Sequence, residues 1–403
     1  MFSYANLDLS SPDFKKNAHE IYKKLRQNDP LHEIAMPDGQ RAWLSTRYDD
    51  AVQILKDDDR FTKNLQSLSP EDYAAILPKK EMDLLSKQML SSDPPDHTRL
   101  RSIVSKAFSP QMIEDMQDEI QRISDDLVDR ILEKGSMEVI ADFAFPLPII
   151  VISQMLGIPE DDHHLFKKWS SDFIESANNR DKLKEVFPSI QAFGLYIEDL
   201  ITERRKHPGS DLISMLIQAH DSRDKLTAEE LSSTIWLLIV AGHETTVNLI
   251  GNGLLALLEN PDQLRLWGSD PTLTQSGIEE LLRYYSPVEI ATSRWARLDF
   301  TWHGKNVSKG DLIFVGLAAA NRDPEQFENP DRLDITRKKN KHIAFGNGIH
   351  FCLGAPLARL EGKIALSTLL RRLPNLRIDI VSEELQWRSG ILMRGLERFP
   401  VKF

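Results

Sequence analysis

The stretch Thr234–Leu258 is apolar on nearly every face, and this limits the architectures open to the chain. A helix with one apolar stripe can lie on a surface, but one that is apolar all round must be enclosed by other elements. Just upstream, Thr227 and Glu230 have the spacing of a capping box, which predicts where that helix starts. The apolar stretches Phe143–Ile158 and Ile235–Ala241 are too short or too interrupted by polar residues to cross a bilayer. The helix is therefore read as the centre of a soluble core. A chain of 403 residues is long enough to wrap it and still enclose a cavity.

Helical periodicity recurs elsewhere. Ile113, Met116, Ile120, Ile123, Leu127 and Ile131 follow three- and four-residue steps, which predicts one long amphipathic helix over Gln111–Lys134, ended by Gly135. Similar patterns predict helices over Asp13–Asn28, Leu183–His207, Thr227–Glu259, Thr274–Tyr285 and Pro356–Leu373. Short strand-like segments lie near the ends, at Leu31–Ala35, Trp43–Ser45, Phe300–Trp302, Leu312–Gly316 and Leu376–Ile380. No repeat or Gly/Ser linker divides the chain. The expected fold class is mainly α with minor β: a single large helical domain over residues 1–403, with a long central helix and small sheets.

With 50 Lys and Arg against 61 Asp and Glu, the chain carries a formal charge of −11, which disfavours general affinity for nucleic acid. Met1–Glu20 lacks an apolar signal core, so the expectation is a cytoplasmic monomer with no membrane attachment. The one cysteine, Cys352, can form no intrachain disulfide and has no second thiol for a Cys-rich zinc cluster. A lone cysteine is usually a small buried apolar residue.

The surroundings of Cys352 are unusual. In Phe345-Gly346-Asn347-Gly348-Ile349-His350-Phe351-Cys352-Leu353-Gly354, three glycines permit a tight turn and close approach of a flat ligand. Pro356 falls in the first turn of a predicted helix. The sulfur is thus expected at the positive end of that helix, where unpaired N–H groups favour thiolate over thiol. A helix start of this kind can also bind phosphate, but a phosphate loop wants Lys and Ser/Thr where this one has Phe, Cys and Leu.

A second anomaly interrupts the central helix. Ala241-Gly242-His243-Glu244-Thr245-Thr246 places polar groups in apolar surroundings, where they are costly unless satisfied. Thr245 can bond the carbonyl of Ala241 and bend the helix. Further on, Glu280 and Arg283 lie three residues apart on one helix face, which by itself reads as a surface pair worth about 0.3 kcal/mol.

The Cys352 decapeptide resembles the haem-binding signature of the cytochrome P450 superfamily, and Glu244-Thr245 resembles its acid–alcohol pair. Thiolate ligation of haem is a property of that family, not a deduction from spacing. The resemblance implies Cys352 as iron ligand, with Phe345, Gly348 and Gly354 shaping the loop. His350, together with His97, Arg101 and Arg294, is implied for the propionates of haem b. It makes Thr245 the proton donor on the oxygen side and Glu244 its acidic partner, with Ala241 and Gly242 leaving room for dioxygen. It also implies that Glu280 and Arg283 are buried, and the Phe327–Arg332 segment nominates Arg332 as their third member.

The implied reaction inserts one oxygen atom from O2 into a hydrophobic small molecule such as a polyketide, macrolide, fatty acid, terpenoid or steroid. The flow of Pro324–Arg337 is especially like the bacterial class that tailors polyketides and macrolides. Leu237, Ala241, Val288, Ile290, Ala291, Ile391 and Leu392, with the segment Phe61–Leu90, are the expected pocket lining. Too little chain follows Gly354 for a reductase, so electrons are expected from a separate ferredoxin or flavodoxin and its NAD(P)H reductase. Arg337, Lys338, Lys339 and Lys341 are a candidate dock for an acidic carrier. Two rival readings are a peroxygenase, whose members lack the acid–alcohol pair, and a non-catalytic haem sensor, which needs no proton relay.

Overall fold

A computed structural model describes residues 7–36, 39–69, 78–176, 180–221, 226–380 and 384–403. Its axis is the helix Ala228–Glu259, begun by Thr227, whose side chain accepts from the Glu230 N–H while the Glu230 carboxylate accepts from Thr227. Ile235, Ile239, Ile250 and Leu254 on this helix are fully buried. Burying a side chain of that size contributes about 1.5–3 kcal/mol, so the helix is the main organiser of the core. The helices Lys79–Ser86, Pro146–Leu156, Thr274–Tyr284 and Ala355–Arg372 pack around it.

Glu230 has a second role. The Arg99 guanidinium clasps both of its carboxylate oxygens, at 2.5 and 3.1 Å. Arg99 belongs to the helix Asp96–Ala107, which also carries His97 and Arg101. One carboxylate therefore closes the first turn of the central helix and ties a neighbouring helix to it.

Two predicted helices are divided. Gln111–Lys134 becomes Pro110–Asp115, Gln117–Asp129 and a 3-10 turn at Leu132–Lys134, closed by left-handed Gly135. At Met116 ψ is −9°, short of the helical value, which resets the ladder while the apolar face continues. Leu183–His207 is split between Arg180–Glu185 and Phe187–Lys206. Pro188 has no N–H to continue a preceding helix but suits the first turn of a new one.

The principal sheet has five strands in the order Leu31–Ala35, Arg41–Ser45, Leu312–Val315, Arg294–Ala296, Phe61–Thr62. Only the Arg41–Ser45 and Leu312–Val315 pair is parallel. Its edge register sets Phe61 opposite Ala296 and Thr62 opposite Trp295. A smaller sheet joins Ser136–Glu138, Pro400–Lys402 and Arg377–Ile378, and a hairpin joins Phe300–Trp302 to Lys305–Val307. Among the described residues no helix is long and apolar enough to cross a membrane.

The N-terminal helix Pro12–Asn28 is held by a fully buried ion pair, Lys15 Nζ to Glu289 Oε2 at 2.5 Å. Tyr22 donates to the same carboxylate, and Arg394 lies 3.5 Å from it. A pair buried this deeply is tolerable only because every partner is hydrogen-bonded.

Candidate active site

The cysteine loop is shaped by two left-handed glycines, Gly346 at φ 73° and Gly348 at φ 72°. A Cβ on Gly348 would stand 2.5 Å from the Leu55 carbonyl oxygen, so this position needs glycine twice over. Gly354 has ordinary φ and caps the helix Ala355–Arg372, with Pro356 in its first turn. The Cys352 N–H donates to the Phe345 carbonyl at 2.9 Å. Phe345 lies under the Arg359 guanidinium, 4.6 Å from the ring centroid.

Cys352 is accessible, although protein atoms crowd it, so the thiol opens onto an internal space. The expected bias toward thiolate is not met by the protein alone. Burial pushes the thiol up, and the N–H groups of Gly354 and Ala355, with Arg101 and Arg359, only partly offset it. A bound metal cation is what would fix the anion.

Two adjacent carboxylates stand behind this loop. Glu280 and Arg283 are fully buried and bidentate, at 2.8 Å for each contact. The third charged member is Arg337, whose Nε lies 3.0 Å from Glu280 Oε2, and not Arg332. Arg332 is exposed and contributes only its carbonyl, which accepts from Arg283 at 3.1 Å. This pairing also removes Arg337 from the exposed basic cluster, leaving Lys338, Lys339 and Lys341. Glu279, unremarked in the sequence, accepts from Arg359 at 2.7 and 2.9 Å and contacts His342 at 3.0 Å. Burial alone would raise its carboxyl, but these partners hold it at about 2. Through Arg359, Glu279 supports Phe345 and hence the cysteine loop.

On the opposite flank, basic groups gather with neutral partners and, among the described residues, without an ion pair. The rings of His97 and His350 lie 4.4 Å apart. Among the described residues Nε2 of His350 has no hydrogen-bond partner, and the His97 ring meets only the Ile349 backbone. Arg294 is 4% exposed, and among the described residues its guanidinium makes one long hydrogen bond, to the Thr292 carbonyl at 3.4 Å. Burial lowers its guanidinium to about 10. Arg101 donates to the Phe351 carbonyl at 2.7 Å, which brings it onto the cysteine loop. Lys63, which sequence reasoning missed, is 6% exposed beside Arg294. An open depression of about 460 Å³, lined by His97, Thr98, Arg101, Ser102, Ser105, Gly348 and Ile349, lies at the edge of this group. Buried cations and an orphaned imidazole nitrogen require an anion. A flat group carrying two carboxylates and a metal that binds sulfur satisfies both the cradle and Cys352, so the residues present fit haem.

In the central helix, Ala241 is exposed and Gly242 half-buried between buried Val240 and His243, so the helix faces open space there. Thr245 is half-buried and its Oγ1 donates to the Ala241 carbonyl at 3.3 Å. A Cβ on Gly242 would lie 2.8 Å from Ile152 Cγ1, so its bareness serves helix packing. His243 is a satisfied core residue, Nδ1 lying 2.9 Å from the Ile239 carbonyl, and burial takes it down to about 4. Glu244 is buried, with Arg388 Nη1 at 2.6 Å from Oε1. That partner comes from the C-terminal part of the chain and had no signal in the local sequence.

The expected pocket walls are partly displaced. Val288 bridges to Met393, and the Leu392 carbonyl accepts from the Glu289 N–H at 2.8 Å, so two of the segments form one wall. Ile290 is fully buried in the cluster under the sheet, and Ile391 packs on the same cluster, so they back this wall. Leu237 and Ala291 are buried at 6% and 7%. Phe61 belongs to a sheet core with Trp302 and Phe300. Residues 70–77 of the expected lining lie outside the described residues.

Known proteins match nearly the whole chain. The sequence profile of the cytochrome P450 family matches residues 7–265 and 270–386. A cytochrome P450 of Bacillus subtilis (strain 168) is 47% identical over 98% of this chain and 96% of its own length. The polyketide biosynthesis cytochrome P450 PksS of the same organism is 42% identical over 96% of each chain. Among solved structures, the myxobacterial cytochrome P450 CYP267B1 in complex with myristic acid is similar at TM-score 0.93 and 43% identity, covering 98% of each chain. The chain therefore belongs to the cytochrome P450 family, as a haem b-dependent monooxygenase that inserts oxygen from O2 into a hydrophobic small molecule.

Proposed function

We propose that the substrate is an extended, mainly apolar chain or ring of the polyketide or fatty acyl type, hydroxylated beside Cys352. The observation that carries the site assignment is the pairing of an accessible cysteine at a helix start with a buried cradle of basic groups that Asp58 and Asp93 only partly offset. Cys352 would hold the iron, and His97, Arg101, Arg294 and His350 the carboxylates. Haem b so held supplies dioxygen activation, with electron donation from the thiolate.

The protein's own contribution is positioning and proton supply. Thr245 Oγ1 sits where Ala241 opens the helix and hands over a proton there, which the Glu244 carboxyl restores. Arg388 orients Glu244 between transfers. The wall formed by Val288, Ala291 and Leu392 excludes water from the reacting carbon. The substrate class is supported by two relatives, one titled for polyketide biosynthesis and one solved with myristic acid. Electrons would come in the cytoplasm from a ferredoxin or flavodoxin and its NAD(P)H reductase, as separate chains. Exposed Lys338, Lys339 and Lys341 offer an acidic carrier a landing site.

The test is spectroscopic first. Reduced protein under carbon monoxide should show the red-shifted Soret band of thiolate-bound haem, and Cys352→Ala should abolish it; a band that survives the substitution sinks the assignment. Titration with myristic acid and with a macrolactone should shift the spin state for at least one of them. Thr245→Val should lower product formed per NAD(P)H by roughly tenfold or more. Turnover that proceeds faster with hydrogen peroxide than with NAD(P)H and carrier would replace this reading by a peroxygenase.

A further inference from the structure

Lys63 follows directly on the edge strand Phe61–Thr62, whose antiparallel register sets Thr62 opposite Trp295. Continuing that register by one step brings Lys63 opposite Arg294. Like charges facing each other across a strand pair are unfavourable even at a surface. Here both are buried, at 6% and 4% exposure.

The nearest carboxylate is already committed. Asp93 accepts the Lys63 N–H at 3.0 Å, the Thr62 hydroxyl, and Arg297 Nη2 at 2.6 Å. The Lys63 ammonium donates to Thr292 Oγ1, and among the described residues it forms no ion pair. An ammonium carries three donors, so one hydroxyl leaves two of them to be met. Burial, with Arg294 beside it, holds the group well below the ordinary lysine range. The field of Lys63 and Arg294 reaches His350, the imidazole of the cysteine loop.

We propose that Lys63, steered by Thr292 and set opposite Arg294, is a carboxylate-binding residue of this site and takes a carboxylate of the haem. This rests on the haem assignment above and adds a residue to it. Two sources can bring a carboxylate to this point, the cofactor and an acidic substrate entering along Val288–Ser293, and the cofactor is the one proposed.

The experiment measures transfer of haem from the purified holoenzyme to excess apomyoglobin, for the wild type and for Lys63→Met, Lys63→Arg and Thr292→Val. Loss of one charge-assisted hydrogen bond should speed haem transfer about tenfold in Lys63→Met. Lys63→Arg should restore most of the retention. Thr292→Val keeps the lysine and frees it, so it should speed transfer less, and it serves if Lys63→Met does not fold. A parallel titration with myristic acid and its methyl ester reads the other source. Wild-type haem transfer in both Lys63→Met and Thr292→Val overturns the proposal. So does unchanged transfer in Lys63→Met together with weakened binding of the acid alone, which assigns the lysine to substrate. A wild-type protein that purifies without haem sinks the haem assignment itself, a different result from either.

Discussion

The two flanks of the cysteine loop bury charge in opposite ways. Behind the loop, Glu279 and Glu280 meet Arg359, His342, Arg283, Arg337 and the amide of Asn340, so the charges are matched within the chain. Across it, Lys63, Arg294, His97 and His350 are gathered with little internal anion to answer them. A matched buried cluster contributes to the fold, because removing one member strands the rest. An unmatched one costs stability until something binds, so it marks where a ligand belongs.

The contrast can be broken by substitution. Arg283→Ala should cost about 3–5 kcal/mol in urea denaturation, since Glu280 would be left buried beside its remaining partners. Acid provides the next effect. With the Glu279 carboxyl held at about 2 against an ordinary 4.5, its contribution is complete above pH 4.5 and fades as the pH falls toward 2. Screened by the solvent that reaches this half-buried group, that contribution is on the order of 1–2 kcal/mol, and Glu279→Gln should flatten the corresponding part of the stability curve between pH 4.5 and pH 2. The smallest effect is expected on the other flank. Arg294→Leu should change the stability of haem-free protein by less than about 1 kcal/mol while speeding haem loss from the holoenzyme. If Arg294→Leu destabilises the haem-free chain as much as Arg283→Ala does, the distinction between the flanks fails.

What could be read from the sequence was what is local along the chain. The capping box Thr227/Glu230, the Glu280/Arg283 pair and the glycine-framed cysteine are each written within a few residues, and each takes its expected geometry. The long central helix was equally clear, because all-round apolarity leaves one placement. The partners of these motifs were not legible. Arg337 in place of Arg332, Arg359 on Glu279 and Arg388 on Glu244 are joined across 57, 80 and 144 residues, distances that no periodicity encodes. Lys63 was missed for the same reason: nothing beside it in sequence announces a sheet register that sets it against Arg294. The packing of Gly242 was not legible either, because a missing side chain has no direction until a neighbour such as Ile152 is placed.

The double engagement of Glu230 has a mechanical consequence. Because the same carboxylate pins the start of the long central rod and grips the element that carries His97 and Arg101, those two pieces cannot slide past one another without breaking it. The central rod and the helix Asp96–Ala107 are thus geared as one body, and adaptation to substrates of different girth has to be absorbed by elements that this clasp leaves free.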